Sequence, residues 1–222
     1  MRLNGAVRRD PEHPVHLDKD RIEVDGKRVA AAAKVYLLLN KPRGVVTTAA
    51  DEKGRETVYG LLDPSLPWVA PVGRLDKASE GLLLLTNDSE WAAGVSAPET
   101  HLDKTYHVQI RSVADAALVE AVVKGVQTRD SDFLRAKRAS ILRGGERNTW
   151  LEVVLDEGKN RHIRRMLEGF GVEVLRLVRV GVGPLALGKL AKGCFRALTI
   201  EEKKSVDDAL RGPANDGIEE PG

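Results

Sequence analysis

Pro71-Val-Gly-Arg-Leu-Asp76-Lys-Ala-Ser-Glu80-Gly-Leu-Leu-Leu-Leu-Thr-Asn-Asp88 sets four consecutive leucines directly behind a turn that holds a glycine, an arginine and an acid. Residues 81–88 have no polar side chain between Leu82 and Leu85 and read as a strand covered on both faces. Asn87 or Asp88 then caps a short helix. An acid delivered at the mouth of a buried strand sits on a rigid element yet opens to a cleft, which is where a catalytic carboxylate belongs. Asp76 would serve as well as a plain helix cap, and spacing alone favours that simpler role.

Working outward, the apolar run in residues 34–40 is a second buried strand, ended by Lys41-Pro42-Arg43-Gly44. Residues 105–110 alternate strictly, with Tyr106, Val108 and Ile110 on one face, and residues 149–156 alternate with Leu151, Val153 and Leu155 together. Helical periodicity marks residues 113–126 behind a Ser112 cap, and again Asn160 to Phe170. Val174–Val180 reads as a strand, and Thr199-Ile-Glu-Glu202 is a capping box that opens a last helix. Strands joined by both hairpin-like turns and helices favour an α+β sheet over a doubly wound one. Residues 34–211 therefore form the main domain. In front of it, residues 1–29 carry an extended Arg21–Val24 and a turn at Asp25-Gly26; they are too few to bury a core and read as an arm or the remnant of a larger module. Residues 30–33 are a linker, and residues 212–222 are a disordered acidic tail.

Composition narrows the function classes. The 222 residues are 42% hydrophobic and 31% charged, enough apolar content for a real core and too much for wholesale disorder. No run approaches a membrane span, and the first residues lack the apolar stretch of a signal peptide, so a cytoplasmic monomer is expected. One cysteine, Cys194, and five scattered histidines give no metal-binding spacing, and no phosphate-cradling glycine motif occurs; neither metal nor cofactor is expected. The net charge of +2 hides an asymmetry, since residues 201–222 carry −4 and leave +6 on residues 1–200. A basic body is compatible with a polyanionic partner.

Two further segments join Asp76 as chemistry-bearing candidates. In Glu157-Gly-Lys-Asn-Arg161-His-Ile-Arg164-Arg165-Met-Leu-Glu168, a helical wheel puts Ile163, Met166, Leu167 and Phe170 on one face. Arg161 and Arg165 fall opposite, towards solvent, while Arg164 and His162 lie on the borders, so Arg164 is the arginine best placed to reach inward. Six basic residues lie between Lys159 and Arg179 against two acids, either a solvated helix face or a phosphate-binding patch. Tyr106, behind Lys104, is either core or a platform for an extruded base. A glycosidase pair of Asp76 and Glu80 fits neither carboxyl spacing. Ser79 lacks the glycines of a nucleophile elbow. His107, on the polar face of its strand, reads as exposed.

Taken together, residues 40–44 (NKPRG), 73–76 (GRLD), 80–88 (EGLLLLTND), 104–108 (KTYHV), 158–166 (GKNRHIRRM) and 176–185 (RLVRVGVGPL) resemble the RsuA family of pseudouridine synthases. The likeness runs through nearly all of residues 34–202, up to Phe195–Thr199. It implies a pseudouridine-synthase fold, a mixed and largely antiparallel sheet flanked by helices with a cleft across its middle. It also implies isomerisation of a flipped-out uridine in ribosomal RNA, free or in a pre-ribosomal particle, with large-subunit RNA favoured over small-subunit RNA. Asp76 would be the catalytic aspartate, Tyr106 the tyrosine that packs on the uracil and assists proton removal, and Arg164 the basic partner of Asp76. Arg74, Lys41, Arg43, Lys104, Lys159, Asn160, Arg161, Arg165 and Arg179 would meet the RNA. Two departures stand out. Residues 3–26 match only the final β portion of the small RNA-binding domain with which such proteins begin, and His162 replaces a frequent glutamine as a neutral polar substitution. A non-catalytic RNA-binding or assembly factor on the same fold is the competing reading, against which the intact Asp76, Tyr106 and Arg164 argue.

Overall fold

A computed structural model describes residues 1–10, 12–16, 19–29, 33–48, 51 and 53–212. Residues 30–32 of the segment read as a linker (30–33) and residues 213–222 of the segment read as an acidic tail (212–222) lie outside these. The chain divides into two compact units at Lys34/Val35. In the first, β1 (Arg2–Leu3), β2 (Ala6–Val7), β3 (Ile22–Val24) and β4 (Lys27–Val29) form a sheet in the order β2-β1-β3-β4. Two tight turns make it: Asn4-Gly5 and Asp25-Gly26 all have positive φ, the conformation that two-residue hairpins require. The second turn was legible in the sequence and the first was not read. Leu3 and Ile22 are the buried pair of this small sheet.

The second unit contains β5 (Tyr36–Lys41), β6 (Ala70–Val72), β7 (Glu80–Thr86), α1 (Ser89–Ser96), β8 (Lys104–Ile110), α2 (Ala116–Lys124), β9 (Val126–Gln127) and β10 (Phe133–Leu134). It continues through β11 (Arg138–Gly144), β12 (Thr149–Leu155), α3 (His162–Gly169), β13 (Val174–Val182), β14 (Leu185–Ala186), β15 (Phe195–Ala197) and α4 (Ile200–Arg211). The main sheet runs β11-β12-β8-β13-β7-β5-β15, with β6 beside β7 and β14 beside β13. Every pairing in it is antiparallel except β13 with β7. This is a mixed α+β architecture with helices on the sheet.

The four leucines of β7 explain its central place. Leu82 and Leu84 enter a core with Leu38, Val72, Trp91, Val95 and Val206, whereas Leu83 and Leu85 enter another with Leu37, Leu39, Val45, Val58 and Leu75. Full burial of each is worth about 1.5–3 kcal/mol, so the strand is pinned from both faces. A third core joins Val108, Ile110, Leu151 and Val153 to Ile163, Met166 and Leu167 of α3. The predicted alternation and the predicted apolar helix face meet there.

β7 and β13 pair only at Val178↔Glu80 and Arg179↔Gly81. Gly81 has φ +105°, and a Cβ there would stand 2.2 Å from the Arg179 carbonyl oxygen, so only glycine allows the two backbones to close. Beyond this junction the strands no longer pair. Leu84 from β7 and Val182 from β13 both line the cleft between them.

Several element boundaries differ from the sequence reading. The second helix begins at Ala116 with Asp115 as its cap, whose side chain accepts a hydrogen bond from Leu118 N at 2.9 Å, and it stops at Gly125; Ser112 does not cap it. Helix α3 begins at His162 rather than Asn160, because Arg161 adopts the left-handed conformation (φ 49°). β13 continues to Val182. β11 escaped notice altogether: this edge strand is exposed along most of its length and shows no period-two apolar pattern. The capping box at Thr199 and Glu202 forms as read.

Candidate active site

The backbone around Asp76 is held at five consecutive carbonyls. Leu75 O accepts from Thr47 Oγ1 at 2.8 Å, and Asp76 O accepts from Ser79 N at 2.9 Å and from Lys41 Nζ at 3.1 Å. Lys77 O accepts from Gly44 N at 2.8 Å, Ala78 O from Arg164 Nη2 at 3.1 Å, and Ser79 O from Lys41 Nζ at 2.9 Å. Such a loop has little freedom left. The Asp76 carboxylate, half-buried, takes no hydrogen bond or ion pair among the described residues. A rigid backbone with one unengaged anionic side chain is the geometry of a preorganised reacting group.

That side chain faces a cleft of about 670 Å³. Of the residues singled out from sequence, Arg74, Asp76, Lys104, Tyr106, Lys159, Asn160, Arg161 and Arg179 line it. They come from the β6–β7 loop, from β8, from the 156–161 loop and from β13. Arg74, Lys159, Asn160 and Arg161 are exposed at its surface, whereas Lys104 and Tyr106 are half-buried and Arg179 is buried. Tyr106 packs against both the α3 core and the core beneath Leu75. Arg43 is exposed and bears on the charge of Arg164.

Three expectations need correction. Lys41 is not on a surface that RNA reaches: it has no exposed area, and its ammonium donates to the carbonyls of Pro42, Asp76 and Ser79. Burial pulls its pKa from 10.5 down to about 8, against the opposing pull of Asp76 and Glu80. Arg165 does not point freely to solvent but donates to Asp132 at 2.7 Å and to Asp130 at 3.2 Å, carried by the turn between β9 and β10. Its charge is already matched, which leaves little for phosphate. Arg164 does reach inward, as its border position on the wheel implied, yet it grips backbone rather than carboxylate. Its guanidinium donates to Val174 O at 3.2 Å and to Ala78 O, two residues past Asp76. Burial lowers its pKa, Arg161 adds to that, and Asp76 opposes it through space.

Two polar groups at the cleft have surroundings that the sequence, which offered His162 as a neutral substitution and Ser79 as a rejected nucleophile, did not reveal. His162 is buried, with Nε2 3.0 Å from Arg135 O and Nδ1 without a hydrogen-bond partner; burial lowers its pKa against the opposing pull of Glu157. The Ser79 hydroxyl is likewise buried and unpartnered. A histidine beside an apolar helix face carries no sequence signal of which nitrogen is engaged. Glu80 is no second carboxylate for Asp76: it is buried in ion pairs with Arg176 and Lys192. Burial opposes its charge, but these two cations outweigh burial and hold the carboxyl below its usual range. Among the described residues no group of three or more histidine, cysteine or acidic side chains has metal-binding geometry, and no helix is long and apolar enough to cross a membrane.

Comparison with known proteins bears directly on this loop and cleft. Residues 35–169 match the family model described as RNA pseudouridylate synthase. The chain is 37% identical over 188 residues to the ribosomal large subunit pseudouridine synthase B of Bacillus subtilis, covering 84% of this chain and 77% of that protein. It is also 37% identical over 211 residues to an uncharacterized RNA pseudouridine synthase of Aquifex aeolicus, covering 95% and 84% respectively. A crystal structure of a pseudouridylate synthase superposes with a TM-score of 0.70 at 25% identity, over 92% of this chain and 87% of that one. The matched span contains Lys41, the Asp76 loop, Tyr106 and Arg164, and on these grounds the chain belongs to the RNA pseudouridylate synthase family.

Proposed function

We propose that this protein isomerises uridine to pseudouridine in ribosomal RNA of the large subunit, in the cytoplasm. The observation that carries the reading is the Asp76 loop, whose backbone carbonyls are all held while its carboxylate stays free at a cleft lined by Tyr106. The reaction breaks the C1′–N1 bond of a uridine, turns the uracil and joins its C5 to C1′. The C5 proton leaves and N1 gains one, so composition and redox state do not change. Such chemistry needs an ionised carboxylate at the ribose and a pocket that keeps the detached base from escaping.

Asp76 is the carboxylate that meets the ribose, and Tyr106 the ring on which the uracil packs. Arg164 and Lys41 keep the loop in place from behind. Arg74, Lys159, Asn160 and Arg161, exposed around the cleft, and Arg43 beside the loop are available to phosphates. Their contacts offset the few kcal/mol of unstacking that an extruded base costs. The large-subunit assignment follows the likeness to the Bacillus subtilis protein. Mapping pseudouridines in ribosomal RNA from cells with and without this protein tests the whole reading. A specific large-subunit position should lose its modification, and an unchanged map would refute the proposal.

A further inference from the structure

Arg179 is 7% exposed, yet no carboxylate answers its charge among the described residues. Its Nε donates to Leu82 O at 2.7 Å, bracing the point where β7 and β13 separate. Among the described residues its two Nη atoms make no hydrogen bond, and the side chain lines the cleft. In the sheet it lies opposite Tyr106, while Lys104 sits two residues before Tyr106 on the same strand. Lys104 also lines the cleft and forms no ion pair among the described residues. The two cations feel each other: burial lowers the pKa of Lys104, and Arg179 lowers it further against the pull of Asp103 and Asp156. Two unmatched positive groups held beside the expected platform for a base call for an anion from the substrate.

Two anions are on offer, a backbone phosphate and the uracil itself. Exposed cations for phosphate already surround the cleft at Arg74, Lys159 and Arg161, whereas Arg179 is buried next to Tyr106. On the function proposed above, breaking C1′–N1 leaves the bonding electron pair on uracil, spread over N1, O2 and O4. We infer that Arg179, assisted by Lys104, binds these uracil oxygens and neutralises the detached uracil anion until its C5 joins C1′. Its contribution is then made in the transition state and the intermediate rather than in RNA binding.

Single-turnover kinetics with RNA carrying either uridine or 5-fluorouridine at the target position, read as loss of the C1′–N1 bond because the fluorinated base has no C5 proton to release, tests this. Fluorine stabilises the uracil anion by itself and lessens the need for a cation. Arg179→Gln is expected to lower kcat on uridine RNA by about 100-fold, the scale of losing one oxyanion donor. KM should stay within about threefold, and the loss should be about tenfold smaller on 5-fluorouridine RNA. Lys104→Gln, a half-buried position that keeps the test open if Arg179→Gln does not fold, should show the same base-dependence with a smaller loss. A raised KM with unchanged kcat would assign the pair to phosphate and overturn the inference. Equal losses on both bases, or none, would overturn it too. Wild-type protein inactive on uridine would instead refute the function proposed above.

Discussion

Replacing Lys41 with methionine keeps the length of the side chain and removes its ammonium, which separates two roles a lysine at this place can have. In the structure the ammonium donates to the carbonyls of Pro42, Asp76 and Ser79 at 3.0, 3.1 and 2.9 Å. Charge-assisted hydrogen bonds are worth about 1.5–3 kcal/mol each. Against them stands the cost of burying the ammonium, which its pKa of about 8 instead of 10.5 puts at about 3 kcal/mol. At the low end of the bond energies, Lys41→Met should therefore destabilise the fold by only about 2 kcal/mol. Activity should suffer far more, because losing two of the six hydrogen bonds that hold the loop, the one to Ser79 O among them, shifts Asp76, and a misplacement of about 1 Å costs about 100-fold in rate. Single-turnover pseudouridine formation measures that loss, and RNA titration at several salt concentrations should find affinity and salt slope unchanged. A variant with full rate, weaker binding and a salt slope reduced by about 1 would show that Lys41 meets phosphate and refute the reasoning. The sign with pH is also fixed. With the folded pKa below the unfolded one, the unfolded chain holds more protons between pH 8 and 10.5, so this lysine favours folding increasingly across that window. The stability gap between wild type and Lys41→Met should widen by about 1 kcal/mol from pH 7 to pH 9 in denaturant melts.

Gly81→Ala should be among the most damaging substitutions in the chain. A positive φ costs a non-glycine residue about 1–3 kcal/mol, and the added Cβ also meets the Arg179 backbone; urea unfolding should show a loss above about 3 kcal/mol. Wild-type stability in Gly81→Ala would contradict the tight β7–β13 junction. Arg165→Ala should cost no more than about 1 kcal/mol, since its acidic partners are largely exposed. RNA affinity should change less than about twofold, and a tenfold loss measured by filter binding would return Arg165 to the RNA-contacting set.

How much of this was legible in the chain depends on how far each side chain's partner lies in sequence. The strand of Leu82–Leu85, the alternation around Val108 and Leu151, and the capping box at Thr199 are local patterns, and each emerges where it was expected. Asp76 stood out for a similar reason, an acid at the mouth of an apolar run. The function of Lys41 was not legible, because its acceptors at Asp76 and Ser79 are contributed by a loop more than 30 residues away. The wheel placed Arg165 correctly on the polar face of α3 but contains no information about the turn that brings Asp130 and Asp132 beneath it. Likewise the wheel found that Arg164 turns inward, while only the fold reveals that it ends on Ala78 O rather than on the Asp76 carboxylate. Arg161 adopts a left-handed conformation with no glycine to announce it, which moved the start of α3 by two residues.

The most direct test of the account is the Asp76→Asn variant, which keeps the shape of the side chain and all five carbonyl anchors while removing the negative charge. Pseudouridine formation and RNA affinity should be measured on the same preparation. Isomerisation should fall below detection while the RNA dissociation constant stays within about twofold, as befits a group that acts on the ribose rather than on phosphate. Turnover by Asp76→Asn at a rate near that of the wild type would contradict it.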